Sequence, residues 1–84
     1  MTLSSDQIAE QLAPVFCGII EVPSFSMELE MSAVDTWDSL RHIQLMAAIE
    51  ELFGIEIGFE DAVEMISVRQ IIVIIGKYLP RVLK

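Results

Sequence analysis

The chain has 84 residues, 54% of them hydrophobic, with thirteen acidic residues against five basic and a net charge of -8. That length gives one small domain, residues 1–84, with room for a single core. Its longest apolar runs, about five residues as in Ile71 to Ile75, fall far short of the roughly 20 that a membrane span requires, and the charge opposes nucleic acid and anionic membrane while favouring partners with basic surfaces.

Met1 to Ala13 contains no basic residue and no continuous apolar block, so it lacks the parts of a secretory signal and a soluble, cytoplasmic protein is expected. A single cysteine, Cys17, excludes an internal disulfide, and one histidine, His42, leaves no ligand set for a structural zinc. Cys17 lies among Val15, Phe16, Ile19 and Ile20 and reads as a small buried apolar residue. Four of the five bases, Arg69, Lys77, Arg81 and Lys84, fall in the last sixteen residues, which leaves Arg41 as the sole base before them. This asymmetry bears on docking.

In chain order, Ser4 and Gln7 have capping-box spacing, and Ile8, Leu12, Val15, Phe16, Ile19 and Ile20 recur at helical intervals, which predicts a first helix over 5–20. Pro14 falls inside it and is expected to kink it or open a new turn, because it removes a backbone donor and crowds the preceding turn. Residues 21–37 contain Pro23, three serines and only a short Met27-Glu28-Leu29-Glu30-Met31 alternation, and so read as a long connection. Val22, Phe25, Leu29, Met31 and Val34 would tack it to the core. Loops of that length without structure of their own are uncommon in compact domains and tend to be functional.

A second helix is predicted over Ser39 to Phe53, capped by Asp38 or Ser39 and stopped at Gly54, where glycine is free to adopt positive φ. After a connector at 55–58, Phe59 to Met65 can form a short helical turn with Glu60 and Asp61 at its start. Ser67 then caps a last helix whose stripe is Val68, Ile71, Ile72, Ile75 and Leu79, with Lys77 and Arg81 near its C-terminal end and Pro80 marking its approximate stop. No segment has a sustained strand alternation, and there is no repeat or linker. The expected fold is all-α: a small four-helix bundle with three long helices, one short helix and a long loop between helices one and two.

The second helix carries two apolar stripes. At about 100° per residue, Leu45, Ile49, Leu52 and Phe53, with Met46 at the edge, share one face and would meet the core. Leu40, Ile43 and Ala47 fall nearly opposite, interleaved with Gln44, Glu50 and Glu51. That second stripe is either an exposed patch for a partner or a surface buried by the long loop.

Ser39, in Asp35-Thr36-Trp37-Asp38-Ser39-Leu40, has three readings. It can be an ordinary helix cap. It can be a nucleophile paired with His42, with Asp35 or Asp38 as orienting acid, although no glycine-rich oxyanion loop flanks it and so short a chain has little material for a substrate pocket. Or it can be a site of covalent attachment, where a phosphate on its hydroxyl would meet the backbone N–H groups and positive dipole end of the helix.

Asp38-Ser39-Leu40, the helix that follows, the Glu50-Glu51-Leu52-Phe53-Gly54-Ile55 ending, the short helix and the last apolar helix together resemble an acyl carrier protein. The likeness is strong from Asp35 to Leu79 and covers the rest by layout. It implies that Ser39 is esterified by a 4'-phosphopantetheine arm, transferred from coenzyme A by a separate magnesium-dependent phosphopantetheinyl transferase. Acyl groups would ride as thioesters on the thiol of that arm, and partner enzymes that load and accept them, bearing basic docking surfaces, would perform the chemistry. The protein itself would be a monomeric carrier and not an enzyme. Recognition by the transferase or partners would fall to Asp38, Leu40, Arg41, Ile43, Gln44, Ala47, Glu50 and Glu51, with Leu40 and Ile43 as an apolar landing beside the phosphate. An acid beside a phosphate is unfavourable by charge alone; the resemblance implies that Asp38 is kept as a cap and as a feature the transferase reads.

Carriers of primary fatty acid synthesis place acidic residues soon after the modified serine, where this chain has Arg41, His42 and Gln44. Asp35, Asp38, Glu50, Glu51, Glu56, Glu60 and Asp61 remain for docking. Trp37-Asp38-Ser39-Leu40 followed by His42-Ile43 looks more like the freestanding carriers of specialised bacterial pathways, and the glycine pair that usually precedes the serine of peptidyl carriers is absent. Two other classes compete: an unmodified interaction module that keeps the carrier fold, and a hydrolase using Ser39 and His42.

Overall fold

Helix α1, Ser5–Ile20, begins at a reciprocal cap: the Ser4 hydroxyl accepts from the Gln7 N–H at 3.2 Å, and the Gln7 side chain accepts from the Ser4 N–H at 2.9 Å. Its buried residues, Ile8, Leu12, Phe16 and Ile20, recur every fourth position and form one stripe. The helix runs through Pro14 as a single element. Pro14 and Glu10 both lie on the exposed side, so the carbonyl that loses its partner there meets water. Cys17 is half-buried, one position off the stripe, so its sequence neighbours overstate its burial.

The computed structural model describes residues 4–82 and contains, after α1, a 3₁₀ turn at Met31–Ala33, then α2 (Ser39–Phe53), α3 (Phe59–Ala62) and α4 (Val68–Val82). Among the described residues there is no strand; the Met27 to Met31 alternation yields one isolated antiparallel bridge, Glu30 with Ser67. The Met31 N–H donates to the Ile66 carbonyl at 2.8 Å and the Val68 N–H to the Leu29 carbonyl at 3.0 Å. The pairing stops there because α4 begins at Val68 and turns its backbone donors along its own axis. Around this bridge Val22, Phe25, Met27, Leu29, Met31 and Val34 pack half-buried on the core.

Phe16 anchors the connection between α1 and α2. Its ring meets Phe25 edge-on at 5.6 Å and Trp37 edge-on at 5.1 Å, the geometry that the aromatic quadrupole prefers. Trp37 is 2% exposed, and this core contact fixes the chain immediately before Asp38 and Ser39.

Asp38 is the cap of α2. Its carboxylate accepts from the Arg41 N–H at 2.9 Å, which leaves Ser39 as the first helical residue. The helix ends at Gly54, with φ of 67°. Leu45, Met46, Ile49 and Phe53 are buried, whereas Leu52, which helical spacing assigns to the core face, is 38% exposed. The buried arc runs from Leu45 through Ile49 and Phe53 to Met46, and Leu52 falls on its outer edge.

Helix α3 is shorter than the predicted turn over 59–65. After Ala62 the Glu64 and Met65 N–H groups reach back three residues, to the Asp61 carbonyl at 3.0 Å and the Ala62 carbonyl at 3.2 Å. This tightening turns Met65 inward, where it is fully buried. In α4 the Ser67 hydroxyl accepts from the Gln70 N–H at 3.2 Å, and Val68, Ile71, Ile72, Ile74, Ile75 and Leu79 are buried. The helix continues two residues beyond Pro80, because a proline in the last turn removes only one backbone hydrogen bond. The Arg81 side chain and Lys84, assigned to the basic C-terminal end, lie outside the described residues. Helix α1 packs against both α2 and α4. No described helix is long and apolar enough to cross a membrane.

Candidate functional site

The N-terminus of α2 presents an exposed serine. The first three N–H groups of the helix, those of Ser39, Leu40 and Arg41, have no carbonyl one turn behind them within the helix; the Asp38 carboxylate takes that of Arg41, and the His42 N–H already donates to the Asp38 carbonyl at 2.9 Å. Because Asp38 does the capping, the Ser39 hydroxyl is not committed to it. An anion on that hydroxyl would sit at the positive end of a 15-residue helix.

The second apolar stripe of α2 is open to solvent. Leu40 is 65% and Ile43 66% exposed, and Gln44, Ala47 and Glu51 are exposed as well, so the long connection does not cover them. Across from this stripe, Ile57, Phe59 and Val63 complete an open apolar cleft of about 430 Å³ with Ile43, Met46 and Ala47 of α2. Phe59, at 82% exposed, forms its rim.

Besides the capping Asp38, three residues assigned to docking have structural duties. The Arg41 guanidinium donates to the Ile19 carbonyl at 2.8 Å and pairs with the Glu21 carboxylate at 3.3 Å, closing the end of α1. The Glu50 carboxylate accepts from the Ile57 N–H at 2.8 Å, which ties the connector after α2 to the cleft. Asp61 is similarly engaged, accepting from the Tyr78 hydroxyl and lying 3.7 Å from the Lys77 ammonium. Asp35, Asp38, Glu51, Glu56 and Glu60 remain exposed.

His42 is half-buried, and neither ring nitrogen bonds to Ser39. Nδ1 accepts from the Trp37 indole N–H at 3.1 Å, and Nε2 lies 2.9 Å from the Ala62 carbonyl. An indole nitrogen can only donate, so Nδ1 carries the lone pair and the Nε2 proton points to Ala62. The serine–histidine pairing considered from the sequence is therefore not formed.

No family model, curated protein or solved structure matches this chain.

Sequence spacing did not identify Arg41 or Glu50 as structural links; it put His42 at the border of the core face, where it lies half-buried, without naming Trp37 and Ala62 as its partners. A weak signal existed for Arg41: the last turn of α1 has no base of its own, and Arg41 is the only one before Arg69.

Proposed function

We propose that this chain is an acyl carrier protein, a small four-helix bundle with a long loop between its first two long helices, that bears a 4'-phosphopantetheine arm on Ser39. The observation that carries the reading is the placement of Ser39: an exposed hydroxyl on the first residue of α2, capped by its neighbour and flanked by exposed Leu40 and Ile43. The residues present fit the group. The Ser39 and Leu40 N–H groups lack an acceptor within the helix and would donate to a phosphodiester on the Ser39 hydroxyl, and the Asp38 side chain is turned onto the Arg41 N–H.

When bound, the arm supplies a terminal thiol that holds acyl groups as thioesters. Ser39 anchors it, the start of α2 stabilises its phosphate charge, and Leu40 with Ile43 gives the transferase and the partner enzymes an apolar landing. The exposed acids Asp35, Asp38, Glu51, Glu56 and Glu60 favour partners with basic surfaces. The cleft between α2 and α3 offers apolar walls beside the site. Arg41 and His42 in the turn after the serine favour a specialised bacterial pathway over primary fatty acid synthesis. Catalysis belongs to the partners in this reading, since His42 has both nitrogens engaged elsewhere. Incubation with coenzyme A, magnesium and a phosphopantetheinyl transferase tests it: the intact mass should rise by one phosphopantetheinyl group, and Ser39→Ala should abolish the gain. An unchanged mass beside a labelled control carrier would leave an unmodified docking module.

A further inference from the structure

We propose that His42 is a positioning residue that ties the turn carrying Ser39 to the α3 wall of the cleft, so that a displacement of α3 is transmitted to Trp37. Its biological meaning rests on the carrier reading, while the coupling itself is a property of the unmodified protein. The Trp37 indole N–H is buried and needs an acceptor, which His42 Nδ1 provides at 3.1 Å. That bond leaves the ring proton on Nε2, directed at the carbonyl of Ala62, the last residue of α3, at 2.9 Å. One ring thus holds a residue two positions before Ser39 and the far end of the short helix.

The two ends of this link differ in burial. Trp37 is wedged against Phe16 with its ring centroid 5.1 Å away, and the two ring planes of Trp37 and His42 lie within 29° of each other. Helix α3 buries none of its four residues. Beyond the packing of Ala62 on the core, it is held by polar ties: His42 on one side, and on the other Lys77, 3.7 Å from Asp61, and Tyr78, whose hydroxyl donates to Asp61 and accepts from the Gly58 N–H at 2.9 Å. His42 also lines the cleft. Anything that moves α3 away from α2 therefore lengthens the His42–Ala62 bond, and the ring passes the change to Trp37.

Two substitutions separate the two bonds. His42→Asn places an amide oxygen near the position of Nδ1 and keeps an acceptor for Trp37, but is too short to reach Ala62. His42→Gln carries an N–H to Ala62 but offers Trp37 nothing at Nδ1. The displacement of α3 is supplied by Tyr78→Phe, which removes the hydroxyl ties to Asp61 and Gly58, and the readout is the Trp37 indole N–H signal in ¹H–¹⁵N spectra of the unmodified protein. The expected result is a shift of that signal on Tyr78→Phe in the wild-type background and no shift in either His42 background. A response that persists in either background, or no response in the wild type, overturns the coupling. Should both His42 variants fail to fold by circular dichroism, the ¹⁵N shifts of the native His42 ring decide: an Nε2-protonated ring supports the link and an Nδ1-protonated ring overturns it. Because no transferase is involved, failure of Ser39 to be modified leaves this result standing and is read separately.

Discussion

Arg41, in the first turn of α2, donates to the carbonyl of Ile19, near the C-terminal end of α1, at 2.8 Å. The same guanidinium pairs with Glu21, the left-handed residue that terminates α1. A cation from a second helix thus meets the negative end of the first, and the turn that displays Ser39 is fixed to α1 by the residue two positions after it.

Arg41→Met keeps most of the stem and removes both polar contacts. The ion pair is partly exposed and contributes little, so the main loss is the hydrogen bond at the helix end, about 1 kcal/mol. Urea unfolding should show a lower midpoint with an unchanged slope, and thermal unfolding a fall of about 4–8 °C per kcal/mol for a domain of this size. Arg41→Glu should lose more, because it sets two carboxylates together at a carbonyl end. Under the carrier reading it should also strengthen binding to a fatty acid synthase enzyme with a basic docking surface, because it removes the one base beside Ser39; an unchanged affinity would show that Arg41 does not oppose such docking.

Two left-handed positions give opposite signs. Gly54, at φ of 67°, has no atom within 4 Å of an added Cβ, so Gly54→Ala should cost the backbone term alone, about 1 kcal/mol. Glu21 holds φ of 62° with a side chain present, and Glu21→Gly should be neutral to stabilising by up to about 1 kcal/mol, since the relieved strain exceeds the loss of an exposed ion pair. Chemical denaturation of both variants checks the pair of signs.

Phe16→Ala should be the most damaging of these changes, by about 3–5 kcal/mol, because it leaves a cavity and releases both Phe25 and Trp37. Phe16→Leu fills more of the space and should leave the protein folded with a red-shifted Trp37 emission. An unshifted emission in that variant would mean that Trp37 is held by His42 without help from Phe16.

Ile43→Ser alters an exposed residue and should change stability by no more than about 0.5 kcal/mol. Under the carrier reading it should raise the KM of Ser39 modification while leaving the folded protein intact. Equal KM values for Ile43→Ser and wild type would take Ile43 out of the recognition surface.

Features set by neighbouring residues were legible in the sequence. The Ser4–Gln7 box, the limits of α2 and the glycine at its end follow from caps, period and turn chemistry that act within one helical turn. The exposure of Leu40 and Ile43 was narrowed to two alternatives, and only the path of the long connection chose between them. Features that depend on what arrives from elsewhere were not legible. Arg41 meets a carbonyl 22 residues away and His42 one 20 residues away, and a helical face reports which way a side chain points without naming what it meets. The short α3 has the same origin, since Met65 is drawn into a core that no local signal specifies.

Intact mass spectrometry reads directly whether Ser39 bears the arm. The protein is incubated with coenzyme A, magnesium and a phosphopantetheinyl transferase that labels a control carrier in the same tube. The expected result is a quantitative gain of one phosphopantetheinyl group, mapped to Ser39 by fragmentation and absent from Ser39→Ala. An unchanged mass while the control is fully labelled would contradict the carrier assignment.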